Sequence, residues 1–245
     1  MKLRVVSWNI HKGIGGVDRK YSLERVADVL NGEGADIALL QEVADGWPAA
    51  GADMQAQRLT SLTDLQHHAF APEHRFSVGG YGNAILSRYP LMKEHRIDLK
   101  IGWRKQRSAL QATVLLNNSE ASADLAVTSL HLGLAEMERR AQLKSLFEAE
   151  HVATDHTPMI LAGDFNDVFG RLERKYLQPQ RFERAVRREP SFPALLPFLS
   201  LDGIYTRGIT NLGGGVVRRA LARTASDHCP LAATLDVQLG QVTPD

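Results

Sequence analysis

Five apolar runs in this sequence end in residues that can bind a metal or move a proton. They are Ser7-Trp8-Asn9-Ile10-His11, Leu39-Leu40-Gln41-Glu42-Val43, Thr128-Ser129-Leu130-His131-Leu132, Leu161-Ala162-Gly163-Asp164-Phe165-Asn166-Asp167 and Ser226-Asp227-His228-Cys229-Pro230. A carboxylate or imidazole at the edge of a buried sheet is costly unless it is paired, hydrogen-bonded or bound to metal. One such residue is ordinarily structural, whereas five at strand ends point to strands converging on one site. Glu42, Asp164, Asp227, Asn9 and Asn166 offer hard oxygen ligands, suited to magnesium or manganese and poorly suited to zinc or copper. His131 and His228 add acid/base or oxyanion functions near neutral pH. The combination suits hydrolysis of a charged phosphodiester, where a Lewis acid offsets charge on the phosphoryl oxygens and an oriented base activates water.

The elements that must position these groups are short and β-rich. Strand-like runs cover Leu3 to Ile10, Asp36 to Val43, Asn83 to Ser87, Ala109 to Leu116, Leu125 to His131, Met159 to Asp164, Gly203 to Thr206 and Leu231 to Val237. Several are nearly continuous in Val, Ile and Leu, as expected of strands buried on both faces. Helical patterns lie between some of them. Ser22 to Asn31 puts Leu23, Val26, Ala27 and Leu30 on one stripe with Ser22 as N-cap and Gly34 near its end. Ala135 to Glu150 puts Met137, Ala141, Leu143 and Phe147 among charges, Met54 to Leu65 is a weaker helix, and Arg171 to Arg188 is helical in pieces interrupted at Pro179. Strands in helix-separated pairs and in consecutive runs argue for an α/β chain with mixed sheets.

The chain has 245 residues, 44% hydrophobic and 23% charged, the profile of a soluble globular protein with ample core. With no internal repeat or linker, one domain over residues 1–245 is the simplest reading, and Gly213-Gly214-Gly215 reads as a tight connection between strands. A lone cysteine, Cys229, excludes an intramolecular disulfide framework and a cysteine-rich zinc site. No run approaches the roughly 20 apolar residues of a membrane span. The opening MKLRVVSWNIHKG has too short an apolar stretch for a signal peptide, so a cytoplasmic protein is expected. The sequence carries no signal of oligomeric state.

Taken together and in order, WNIH (8–11), LLQEV (39–43), GNAILSRYP (82–90), SLHL (129–132), GDFND (163–167) and SDHCPL (226–231) resemble the endonuclease/exonuclease/phosphatase superfamily over almost the full chain. The resemblance implies a four-layered α/β (α+β) sandwich, with two mixed, mostly antiparallel sheets packed face to face and flanked by helices. It implies Glu42 as the principal ligand of Mg2+ or Mn2+, with Asn9 and Asp227 close by. Asp164 and Asn166 position the attacking water and the phosphate, and Asp164 is also a candidate ligand for a second metal. His228 is the general base or the transition-state phosphate contact, and Asp202 is the acid that orients it. His131 contacts the phosphate from the other side and is a candidate to protonate the leaving oxygen. Arg107 matches a phosphate-contacting arginine of the nuclease branch, and Asn83 is placed near the substrate. WN, LQEV, GDFN and SDH also resemble the tyrosyl-DNA phosphodiesterase branch, while His131-Leu132 is closer to the deoxyribonuclease and sphingomyelinase branches.

Other residues read more plainly. Asp167 is expected to cap the following helix, and Cys229 to be a packing residue that points away from His228. His67, His68, His74, His95, His151 and His156 are expected at the surface, and His11 near the site. The Gly13-Ile14-Gly15-Gly16 loop reads as a mobile connection. Basic groups at Arg104-Lys105-Arg107, Arg171 to Arg188 and Arg218-Arg219-Arg223 suit a polyanionic partner, either nucleic acid or an anionic membrane surface. The reading is therefore a nuclease acting on DNA or RNA. The rivals are a phospholipid, sphingomyelin-type or sugar-phosphate phosphoesterase at a membrane surface, with Trp103 and Phe192 to Phe198 as its rim, and an inactive polyanion-binding module.

Overall fold

The computed structural model describes residues 1–117, 121–149, 152 and 157–241. The apolar runs form β1 (Lys2–Asn9), β2 (Ile37–Asp45), β4 (Gly80–Ser87), β6 (Ser108–Asn117), β7 (Ala121–His131), β8 (Met159–Asp164), β10 (Asp202–Arg207) and β12 (Leu231–Asp236). To these the structure adds β3 (His67–Arg75), β5 (Leu91–Asp98), β9 (Glu183–Arg184), β11 (Thr210–Val216) and β13 (Gly240–Gln241). One sheet runs β11-β12-β1-β2-β4-β3 and the other β5-β6-β7-β8-β10-β9, with β13 beside β7. β1–β2 and β7–β8 are parallel and the remaining pairs are antiparallel. A parallel pair needs a crossover, and each has one with a helix, α1 (Leu23–Gly32) or α3 (Glu136–Glu148).

Alternation along each strand sorts side chains into three apolar layers. Leu3, Val5, Ile37 and Leu39 of one sheet meet Leu110, Val127, Ile160 and Ala162 of the other between the sheets. The opposite face of the first sheet, with Val6, Trp8 and Leu40, packs under Leu23, Val26 and Leu30 of α1 and Leu59 of α2 (Gln55–Leu62). Leu130 and Leu161 on the outer face of the second sheet pack under Leu143 and Leu146 of α3 and against Leu177 and Phe182. The result is the expected four-layered sandwich of helices, sheet, sheet and helices.

Several local expectations change. Ser22 does cap α1, its hydroxyl accepting from the Arg25 N–H at 3.4 Å. In α3, however, Met137 is exposed, and the buried side is Glu138, Arg139, Gln142, Leu143 and Leu146. The polar members are buried because they tie loops: Gln142 accepts from the Gly133 N–H and donates to the Leu99 carbonyl. Gly213-Gly214-Gly215 lies inside β11 rather than between strands, since it pairs with Thr234, Ala233 and Ala232. The glycine loop after β1 is packed rather than mobile, because a Cβ on Gly16 would stand 2.7 Å from Cα of Asp227. From Arg171 onward the chain forms a wide helical turn at Glu173–Leu177, a tight one at Gln178–Gln180, and then β9. His67, His74 and His95 are partly buried and His68 is exposed, while His151, His156 and Glu150 lie outside the described residues.

Candidate active site

The inward-facing series of four strands each run one step past the apolar core at the same end of the sandwich. Val5 and Ser7 lead to Asn9, Val127 and Ser129 to His131, Ile160 and Ala162 to Asp164, and Ile204 back to Asp202. Period-two alternation therefore turns all four polar side chains into the gap between the sheets. Pairing sets them side by side, His131 opposite Asp164 and Asp164 opposite Asp202.

Glu42 reaches the same place by a different device. Leu40 and Val43 face Ala84 and Gly82, so the β2–β4 ladder is bulged at Gln41-Glu42, and Glu42 has φ 53°. A bulge re-aims one side chain; regular alternation would send Glu42 to the helix side with Ala38 and Leu40. β3 is bulged as well, between Pro72 and His74, and Glu73 at that bulge continues the inward series of Ala69 and Ala71. Sequence reasoning did not single out this acid. It is buried at 3% exposure and bound to Arg107, a contact that ties the two sheets together.

Asn9, Glu42, Lys105, Arg107, His131, Asp164, Asn166, Asp227 and His228 share the wall of one cleft of about 470 Å3 with Phe192, Leu199 and Leu201. Asp164 is its hub. Its Oδ2 lies 3.3 Å from Asn9 Nδ2, 3.5 Å from His131 Nε2 and 3.8 Å from His228 Nε2. Its Oδ1 accepts from the Asn166 N–H at 3.0 Å. Asp202 lies behind His228, Oδ2 to Nδ1 at 3.0 Å, and accepts from the Ser191 hydroxyl. Trp8 fixes the backbone of that loop by donating to the His228 carbonyl at 2.7 Å. Ser226 does the same by donating to the Asn9 carbonyl at 2.7 Å.

The two histidines are held in opposite states. Burial acts to lower His228, but the Asp202 carboxylate and its hydrogen bond, with Asp164 behind them, outweigh burial and hold it at about 10. Burial and the Arg107 charge instead push His131 well below the usual imidazole range. Because a guanidinium only donates, the Arg107 Nη1 contact at 3.1 Å makes His131 Nδ1 an acceptor and leaves the proton on Nε2, facing Asp164. Asp164 is raised by burial and by the neighbouring Asp202 charge. Burial, only partly offset by Arg107, lifts Glu73 to about 7. Glu42 goes the other way, to about 2: burial raises it, but positive charge prevails. That charge is assigned to His131, Lys12 and His11, and with His131 held neutral the lasting part of it is Lys12, whose ammonium pairs with the Glu42 carboxylate.

Two groups of residues fit a divalent cation differently. Asp164, Asp202 and His228 have donor atoms within 4.8 Å of one another. Yet His228 is held as a cation by Asp202 and would have to release its Nε2 proton before that nitrogen could bind a metal. Glu42, Asn9 and Asp227 suit a hard divalent cation in their donor chemistry, since Glu42 stays ionised and all three are oxygen donors on the cleft wall. The cation on Glu42 is the Lys12 ammonium.

Asn83 does not line the cleft. It is fully buried in β4 and donates to the Ser108 carbonyl at 2.8 Å across the sandwich, so it is held beneath the site. His11 sits at the cleft edge, Nδ1 3.9 Å from Asp227 Oδ1. Asp167 accepts from the Leu172 N–H at 2.8 Å and caps the turn that follows. Cys229 is buried against the Ala194 carbonyl. Many arginines of the basic groups have partners within the chain: Arg171 pairs with Glu136, Arg184 with Glu173, Arg218 with Glu189 and Arg219 with Glu33.

Comparison with known proteins agrees with this geometry. The Escherichia coli (strain K12) protein YbhP is 30% identical over 248 residues, covering 95% of each chain. An endonuclease/exonuclease/phosphatase from Beutenbergia cavernae DSM 12333 superposes with a TM-score of 0.83 at 22% identity, over 96% of this chain and 72% of its own. D. rerio TDP2 complexed with single-strand DNA product superposes with a TM-score of 0.65 at 19% identity, over 96% and 99%. The model of the endonuclease/exonuclease/phosphatase family matches residues 6–228, from the end of β1 to the histidine beside Asp202. The chain belongs to the endonuclease/exonuclease/phosphatase family.

Proposed function

We propose that this protein hydrolyses phosphodiesters by direct attack of water on phosphorus, with Mg2+ or Mn2+ as cofactor. The observation that carries this reading is the Asp164 hub, with a protonated and a neutral histidine both facing one carboxylate oxygen. Asp164, raised toward neutrality, takes the proton of the attacking water. Asn166 and Asn9 hold that carboxylate in place. His228, kept protonated by Asp202, donates through Nε2 to the phosphoryl oxygens, which favours the phosphate-contact role over that of base. His131, neutral, donates a hydrogen bond from its Nε2–H to the leaving oxygen and stabilises the charge that gathers there. Arg107 keeps that proton on the right nitrogen, and the leaving oxygen takes its own proton from solvent water. Glu42, Asn9 and Asp227 would hold the metal, which supplies Lewis-acid stabilisation of charge on the phosphoryl group.

The finer reading is a nuclease. It is supported by the neighbour bound to single-strand DNA product and by Lys105 and Arg107 on the cleft wall. The ion pairs within the basic groups weaken it, because they leave less charge for a polyanion. The test is turnover of bis(p-nitrophenyl) phosphate, single-stranded DNA, RNA and supercoiled plasmid with magnesium, manganese or EDTA. Metal-dependent turnover that is lost in Asp164→Asn is the expected result. No turnover of any diester with either metal would overturn the reading.

A further inference from the structure

Gln41 stands directly before the acid that the β2 bulge turns into the cleft, and its side chain is fully buried. Ile37 and Leu39 point into the layer between the sheets, and Gln41 continues their series by regular alternation. The strand departs from its period only at Glu42. An amide in an apolar layer is costly unless its hydrogen bonds are made. A Leu or Met would fill the same space without that cost, so the bonds Gln41 makes show what the amide does there.

Its Nε2 donates to the Ser129 hydroxyl of β7 at 3.0 Å and to the Leu39 carbonyl of its own strand at 3.0 Å. Ser129 Oγ in turn donates to the Leu40 carbonyl at 3.2 Å. Because a carbonyl only accepts, the Leu39 contact fixes which end of the amide carries the protons. The two side chains therefore fasten the carbonyls of Leu39 and Leu40, the last residues before the bulge, to one point on the opposite sheet. The Gln41 carbonyl accepts from the Ile10 N–H at 3.0 Å, which anchors the end of β1 just past Asn9. The facing strand is fastened in the same way. Asn83 lies between Gly82 and Ala84, the β4 partners of Val43 and Leu40, and donates to the Ser108 carbonyl of β6 at 2.8 Å.

Glu42 needs such a hold. Its φ of 53° is uncommon for a residue with a Cβ, and such a conformation persists only where its surroundings over-determine it. Shifting the strand by one residue would return Glu42 to the helix side. The Lys12 ion pair holds the carboxylate, whereas the amide contacts hold the backbone. We infer that Gln41 is a positioning residue: clamped to Ser129, it holds the bulge that aims Glu42 into the cleft and keeps Glu42 in register with His131. The register follows from Ser129, which stands one inward step before His131 on β7. What Glu42 does once aimed rests on the metal reading above; that the clamp aims it does not.

The experiment compares wild type with Gln41→Met, which keeps the length of the side chain and removes its donor, and with Ser129→Ala, which removes the other half of the clamp. In the metal-free proteins, the α- and β-carbon chemical shifts of Glu42 report whether its φ is still positive. Calorimetric titration with Mn2+, without substrate, reports whether the carboxylate is still presented to the cleft. Both variants should lose the positive-φ shifts and bind Mn2+ about tenfold more weakly. The double variant Gln41→Met/Ser129→Ala should be no worse than either single one, because the two side chains act as a unit. Glu42 shifts that stay at wild-type values in the folded variants overturn the proposal and leave Gln41 as buried packing. If Gln41→Met does not fold, Ser129→Ala decides by the same readouts. Lost positive-φ shifts with unchanged Mn2+ affinity keep the clamp and remove Glu42 as the ligand. Wild type that binds no Mn2+ sinks the metal reading alone, and the Glu42 shifts still decide the clamp.

Discussion

Arg107 Nη1 lies 3.1 Å from His131 Nδ1, and this contact decides where the histidine keeps its proton. Arg107 is itself anchored by Glu73, from the opposite sheet, so the tautomer of His131 depends on a contact that spans the two sheets. Arg107→Lys keeps a positive charge but loses the rigid planar head whose Nη1 meets both Glu73 and His131. Turnover of a small diester should fall about 10–100-fold, with the imidazole of His131 titrating at higher pH by NMR. Equal rates and an unmoved His131 resonance would mean that Arg107 is only a strut between the sheets.

Asp202 and His228 make the stability of the fold depend on pH. The folded-state value of His228 lies above that of the free imidazole, so the pair contributes fully below about 6.5 and its contribution is lost as pH rises through about 10. Asp202→Asn should therefore destabilise the protein near pH 7 by about 3–5 kcal/mol, the range for breaking a buried ion pair. The gap to wild type should shrink above pH 10. Urea melts at pH 7 and pH 10.5 measure both. A gap of constant size would show that His228 is not held as a cation.

In the proposed reading, Glu42 and Lys12 set the metal dependence between them. Lys12 pairs with the carboxylate that this reading makes the metal ligand, so cation and lysine compete for it. Glu42→Gln should raise the half-saturating magnesium concentration about 10–100-fold, and Lys12→Met should lower it. Magnesium titrations that do not move in either variant would put the metal on another set of donors.

The contrast between Glu42 and Glu73 shows what a sequence carries. Glu42 was legible because LLQEV is an apolar run broken by one acid, although nothing in it announces a bulge. Glu73 sits in HHAFAPEHRF, where Pro72 and the surrounding polar residues hide a strand whose buried positions are only Ala69, Ala71 and Glu73. β5 was hidden for a related reason: as an edge strand it buries only Ile97. Asn83 was placed near substrate by its motif, yet its depth in β4 is decided by packing between sheets. The ion pairs of Arg171, Arg184, Arg218 and Arg219 are likewise tertiary, so charge runs overstate the cation available to a partner.

Gly82 tests whether the β3 bulge matters to the site. It faces Pro72 across the ladder, and a Cβ there would stand 2.0 Å from the Ala71 carbonyl oxygen and 2.9 Å from the Glu73 nitrogen. Both obstacles are backbone, so relief requires moving the bulge that carries Glu73. Gly82→Ala should cost about 2–4 kcal/mol in denaturant melts, an overpacking penalty with backbone strain added. Gly215→Ala, where a Cβ meets nothing within 4 Å, is the matched control and should stay within about 0.5 kcal/mol of wild type. If Gly82→Ala lowers turnover beyond its loss of folded protein and also moves the His131 resonance, the path from bulge to Glu73 to Arg107 to His131 is a positioning device. A fall without that movement points to Glu42, whose bulge Gly82 also faces. If turnover per folded molecule is unchanged, the bulge serves the fold alone and His131 is held by Arg107 without help from Glu73.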